Sequence, residues 1–201
     1  MYFFLVAYSI LGAGIKYIDA AFDDKIFNKT IAMILAPLLG ILWAYTMLID
    51  SVSATILLAV VVGVLITGKI DNYAHLIGML IIFAILFLLR IEFLIIPVIF
   101  LSASAILDEV GNDYIDGEKE NLNKEKLRDK FLIYFFGHRW VMKIAIIYLV
   151  LLGVVPLFFF IAMTLFDYSY VLIGSYTKLK QGIMNTTLTQ RAIAKIGCIF
   201  K

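Results

Sequence analysis

From Ile31 to Leu107 the sequence runs as four apolar stretches, 31–49, 53–68, 74–89 and 93–107, separated by only three to five residues each. That pattern dictates the fold class. A stretch so uniformly apolar has to be covered on every side, and where lipid covers it each backbone N–H and C=O must be satisfied inside the segment, which selects the α-helix. A bilayer core takes about 20 residues of helix, with a range near 17 to 25. By that ruler Tyr2 to Ile15 is a further span, extended through Tyr17 and Ile18 if Lys16 snorkels to the interface. Val141 to Met163 is another, and Thr164 to Tyr176, whose one charge is Asp167, is a marginal last one. The chain is 63% hydrophobic, well above the roughly 45–50% of soluble domains.

The expectation is an all-α, polytopic transmembrane helix bundle of about seven spans, or six if 164–176 does not cross. Residues 1–176 form its single domain, with an acidic cytoplasmic loop at 108–130, and 177–201 form a basic cytoplasmic tail. Phe131 to Phe136 is too short to cross and is expected at the membrane interface. Pro37, Pro97 and Pro156 all fall inside expected spans, where kinked helices can enclose a pocket. The N-terminal stretch lacks a basic leader region and reads as a retained span. The net charge of +2, spread over a few loops, gives no electrostatic footprint for nucleic acid. The lone Cys198 allows no internal disulfide.

Polar chemistry is concentrated in Leu107 to Lys130, LDEVGNDYIDGEKENLNKEKLRDK, with eight carboxylates and five basic residues. Asn112, Asp113, Asp116 and Glu120 read N-D-x-x-D-x-x-x-E. On a helix Asp113, Asp116 and Glu120 would share one face, and a few carboxylates beside a phosphate are what Mg²⁺ takes as ligands. The same stretch also reads as a solvated, mixed-charge loop. His75, four residues after Asp71, is open between metal ligand, proton acceptor and interfacial residue, and Asp167 is expected at the interface. No C-x-x-C, H-E-x-x-H or G-x-S-x-G occurs, so zinc and serine-nucleophile chemistry have no support.

Lys and Arg crowd the odd-numbered loops, while the opposite side holds only Arg90. By the positive-inside rule the N-terminus is outside, and the odd loops and the tail are cytoplasmic. Asp19, Asp23 and Asp24, then Asp71, then the carboxylates of 108–120 therefore open on one side of the membrane. Ionisable groups at such a boundary are functional-site candidates.

SASAILDEVGNDYIDGEKENLNK resembles the first aspartate-rich motif of the UbiA superfamily of intramembrane prenyltransferases, N-D-x-x-D-x-x-x-D, matching at Asn112, Asp113 and Asp116 with Glu120 in place of the last Asp. AGIKYIDAAFDDKIFNK resembles the family's other motif, with Asp19 and Asp23 as D-x-x-x-D. The resemblance implies that Asp19, Asp23, Asp113, Asp116 and Glu120 hold Mg²⁺ and the diphosphate of an isoprenyl donor, for transfer to a lipid or aromatic acceptor. Lys16, Lys69 and Arg139 are the expected partners of the phosphate oxygens. A Mg²⁺-dependent enzyme acting on an isoprenyl diphosphate or related lipid phosphate is thus one expectation. The other is a small cation- or proton-coupled transporter or a non-catalytic membrane component.

Cysteine labelling from the two sides in a Cys198→Ser background tests the topology. Asp50→Cys is expected to label from outside, and Asp113→Cys and Arg191→Cys from the cytoplasm. Labelling of positions 50 and 113 from the same side would overturn the span order.

Overall fold

The computed structural model describes residues 1–118 and 126–199, with side chains as far as residue 183. Every regular element among the described residues is an α-helix: α1 (Tyr2–Phe22), α2 (Lys29–Ile49), α3 (Ser51–Ile66), α4 (Tyr73–Leu89), α5 (Ile95–Gly117), α6 (Leu127–Gly137), α7 (Trp140–Leu151) and α8 (Leu157–Ile199). Four helical segments are long and apolar enough to cross a membrane: α1, α2, α5 and Leu157–Ile183 of α8. The pair α6 and α7, bent by 67°, would make a fifth if it crosses as one span, and α3 and α4 are shorter apolar helices of 16 and 17 residues.

Short polar side chains punctuate this apolar chain by taking up the free N–H groups of helix starts. Asp50, alone between α2 and α3, accepts from the N–H groups of Val52 (2.9 Å) and Ser53 (2.8 Å). Asn28 does the same for Thr30 at the start of α2, and Asn72 for His75 at the start of α4.

The later boundaries differ from the sequence reading in two places. Helix α5 does not end at Leu107 but runs on to Gly117, so Asp108, Glu109 and Asp113 are helical and not in a loop. Pro97 sits in its first turn, where a missing N–H costs nothing, and does not break it. The expected span 141–163 is two helices: α7 stops at Leu151, Gly153 takes φ +71, and the N–H groups of Val154 and Val155 both return to the Leu149 carbonyl. Pro156 lies in that break. A glycine past the last turn with a proline beyond it is a helix stop, and 164–176 is accordingly the interior of α8, not a separate span.

Contacts between helices close a ring: α1 packs on α2, α2 on α3, α3 on α5, α5 on α7, α7 on α8, and α8 on α1, with α4 against α2. Small residues let the backbones meet. A Cβ on Gly12 would lie 2.0 Å from the Phe166 carbonyl oxygen of α8, and one on Gly40 would lie 2.7 Å from the Gly78 carbonyl oxygen of α4. At the end holding the N-terminus and Asp50, the ring is filled by Phe4, Tyr8, Leu11, Ile56, Leu57 and Phe159. The Tyr8 hydroxyl there is 3.1 Å from Ser53 Oγ. At the other end the filling is charged.

Gly12→Ala is expected to force α1 and α8 apart and to destabilise the solubilised protein by about 1–3 kcal/mol, the usual range for overpacking. Gly117→Ala, with nothing within 4 Å of its new Cβ, should be neutral or gain about 0.5–1 kcal/mol of helix propensity. Equal effects in thermal unfolding would show that the close approach does not matter.

Candidate functional site

Inside the ring lies a cavity of about 480 Å³ whose wall is drawn from seven helices, all but α6. Part of that wall is apolar, with Leu39 and Trp43 of α2, Val60, Val61 and Val64 of α3, Met79 and Ile82 of α4, and Met163 and Phe166 of α8. The rest carries three basic side chains, Lys16, Lys69 and Arg139, and six carboxylates, Asp19, Asp23, Asp71, Asp108, Glu109 and Asp167. With Lys143, which pairs with Asp167 from behind the wall, that is six carboxylates against four basic side chains.

Two adjacent residues of α5 assemble much of this. Asp108, 1% exposed, accepts from the N–H groups of Val141 (3.0 Å) and Met142 (2.7 Å), and so caps the N-terminus of α7 from a neighbouring helix. Capping in this way fixes the junction at which Arg139 sits. Arg139 has φ +49, a left-handed conformation that costs a non-glycine residue on the order of 1–3 kcal/mol and clusters at functional sites. Its guanidinium donates to Glu109 Oε1 at 2.8 Å and lies 4.8 Å from the Tyr170 ring centroid. Glu109 Oε2 is 2.6 Å from Lys69 Nζ, an ion pair at an angle poor for a hydrogen bond, and Lys69 is also 2.6 Å from Asp113 Oδ1.

On the facing wall Asp19 is fully engaged. Its Oδ1 is 2.6 Å from His75 Nε2, its Oδ2 accepts from the Tyr170 hydroxyl at 2.9 Å, and Lys16 is 3.8 Å away. Further in, Lys143 of α7 pairs with Asp167 of α8 at 2.6 Å, each side chain 7% exposed. Lys143 also donates to the His138 carbonyl.

Lys16, Asp19, Asp23, Lys69 and Arg139, singled out from the sequence, thus line one cavity. Asp113 joins it only through Lys69, Asp116 faces Asn112 Nδ2 at 3.5 Å, and Glu120 lies outside the described residues. Among the described residues no group of three or more His, Cys, Asp or Glu stands close enough to hold a metal ion. Asp167, expected at the interface, is buried within the bundle. Sequence reasoning missed the Lys143–Asp167 pair, Tyr170 and the buried roles of Asp108 and Glu109. Their partners are brought close by the tertiary fold, and no local spacing marks them.

Outside the helices, Asp23 and Lys69 are among the groups that are electrostatically displaced. Burial, reinforced by Asp71 and Asp19, pushes the Asp23 carboxyl above its ordinary value. Burial alone would lower Lys69, but the carboxylates of Asp113 and Glu109, each 2.6 Å away, override this and hold it above its ordinary value. Asp71 thus acts on Asp23 as a like charge, opposed in part by Lys16, and among the described residues neither carboxylate forms an ion pair.

No protein-family model matches the chain, and neither a curated protein nor a solved structure is significantly similar to it.

The Asp23 displacement fixes the sign of a pH effect. An acid whose pKa is raised on folding destabilises the native state above that pKa, and the penalty fades as pH falls towards the unfolded value of 3.8. Asp23→Asn is expected to raise the melting temperature of the metal-free protein at pH 7 in low salt, with the gain gone below pH 3.8. A loss of stability at pH 7 would mean that Asp23 is paired and not crowded.

Proposed function

We propose that the protein is a multi-pass membrane enzyme acting on a lipid diphosphate, with α1 to α5, α7 and α8 as seven crossings and α6 at the cytoplasmic interface. Redrawing the last two spans at the 152–156 break keeps an odd count, and so keeps the basic tail on the side of the acidic groups. The reading rests on one observation: a single cavity joins an apolar wall to a rim of paired charges of both signs. A hydrocarbon chain suits the apolar part, where water is excluded. Lys16, Lys69 and Arg139 suit the phosphate oxygens.

The excess of carboxylates disfavours a bare anion and favours one that arrives with a divalent cation. The donor set fits Mg²⁺, which takes one or two carboxylates together with substrate phosphates. Asp23 and Asp71, which form no ion pair among the described residues, are the residues to hold it, whereas Asp19 and Asp113 are already engaged. Mg²⁺ there would neutralise the charge that develops on a departing diphosphate. The similarity of the Asn112–Asp116 segment to the UbiA superfamily supports an isoprenyl chain as the apolar part.

A second reading, a cation-coupled transporter, is favoured by the Lys143–Asp167 pair, since ionisable pairs buried within membrane helices mark ion pathways.

Thermal unfolding of the detergent-solubilised protein separates the two. A long-chain isoprenyl diphosphate with Mg²⁺ at 100 times its dissociation constant should add about 2.7 kcal/mol of apparent stability. Either component alone should add much less. The shift should disappear in Asp23→Asn and weaken about tenfold in affinity in Lys69→Gln. No shift in the parent protein at concentrations well above micromolar would remove the diphosphate reading.

A further inference from the structure

We propose that His75 is the proton-accepting group of this cavity, held with its Nδ1 free by Asp19 and, through Asp19, by Tyr170. The proposal rests on the lipid-diphosphate reading for its substrate, but not for its geometry. An ionised carboxylate only accepts, so the 2.6 Å contact from His75 Nε2 to Asp19 Oδ1 places a proton on Nε2. The neutral ring then keeps its lone pair on Nδ1. Among the described residues that nitrogen has no hydrogen-bond partner, it is not among the buried unpartnered atoms, and the residue lines the cavity. The ring cannot easily swing away. Its backbone N–H is fixed by Asn72 at 2.9 Å, and Asp19 is itself held by the Tyr170 hydroxyl at 2.9 Å. An imidazole whose far nitrogen is tied to a carboxylate is both oriented and stabilised when it becomes imidazolium.

In transfer of an isoprenyl group to a hydroxyl-bearing acceptor, the hydroxyl proton passes to His75 Nδ1 as its oxygen bonds to the allylic carbon. The carbon–oxygen bond to diphosphate breaks, and its electron pair leaves with the diphosphate. The imidazolium, facing Asp19, then returns the proton to water. Lys16, Lys69, Arg139, Asp23, Asp71 and Tyr170 are the other charged or titratable groups nearest this part of the wall. Of these the basic ones are suited to phosphate and not to proton acceptance, and Asp23 and Asp71 to the cation.

Two measurements test this. The chain has two histidines, His75 and His138, so ¹⁵N spectra of histidine-labelled protein can be assigned with His138→Asn alone. The neutral His75 ring should carry its proton on Nε2 with Nδ1 bare. Asp19→Asn should shift the population towards the other tautomer. A proton on Nδ1 in the parent protein overturns the proposal whatever the substrate. In the second, diphosphate release from a long-chain isoprenyl diphosphate, with water as acceptor, is followed with Mg²⁺ present. His75→Asn should lower kcat by about 10²–10⁴-fold, the usual contribution of a positioned base, with KM and the ligand-induced thermal shift nearly unchanged. A variant that keeps release within threefold of the parent rate overturns the proposal. If the parent itself shows no ligand-induced shift, the diphosphate reading fails, and the His75 proposal is then decided by the tautomer.

Discussion

The charged end of this bundle depends on two consecutive carboxylates buried on α5. Asp108 supplies the missing acceptor for the start of α7, and Glu109 joins the loop after α3 to the α6–α7 junction through Lys69 and Arg139. Without Asp108 two N–H groups of α7 would be left unsatisfied away from water, at about 1–3 kcal/mol each. Without Glu109, Arg139 and Lys69 would face one another and the cavity without a shared counter-charge. Cap and bridge lie one residue apart, so the position of α7 and the composition of the rim are set by the same turn of helix.

That turn also explains which parts of the molecule the sequence revealed. Apolar length alone located α1 to α4, because lipid-facing and core-facing residues are both hydrophobic and only the interruptions carry information. Asp50, Asn28 and Asn72 are such interruptions, and each is a helix cap. The same logic failed at Leu107, where acidic residues signal a loop by composition although α5 continues through Gly117. A carboxylate is a loop residue when water solvates it and a helix residue when backbone N–H groups and basic side chains do. That distinction is tertiary. The break at 152–156 is different, because Gly153 and Pro156 announced it locally and the apolar count outweighed them.

Of the site, the residue types were legible and the pairings were not. Lys16, Asp19, Asp23, Lys69 and Arg139 were recognisable because charge at a membrane boundary is costly and therefore informative. Their partners were hidden because His75 meets Asp19 across 56 positions and Tyr170 meets it across 151. Helical spacing carries no trace of such contacts. Asp113 and Asp116 stand three apart on α5, as spacing suggested, with Asp113 paired to Lys69 and Asp116 beside Asn112.

Energetics bear on why such an arrangement persists in so apolar a chain. Replacing a buried ion pair by apolar side chains of similar volume is often neutral or stabilising by about 1–4 kcal/mol, whereas removing one partner costs about 3–5 kcal/mol. Lys143 with Asp167, and Glu109 with its two basic neighbours, are therefore a poor way to hold helices together and a good way to keep charge available beside the cavity. The bundle already has an apolar core at its opposite end, built on Tyr8, Leu11, Leu57 and Phe159, so packing does not require the charges. Tight pairing also keeps each charge at a fixed distance from the next, and under the proposed function a ligand bringing its own phosphate and cation would exchange partners with Lys69 and Arg139 inside the cavity.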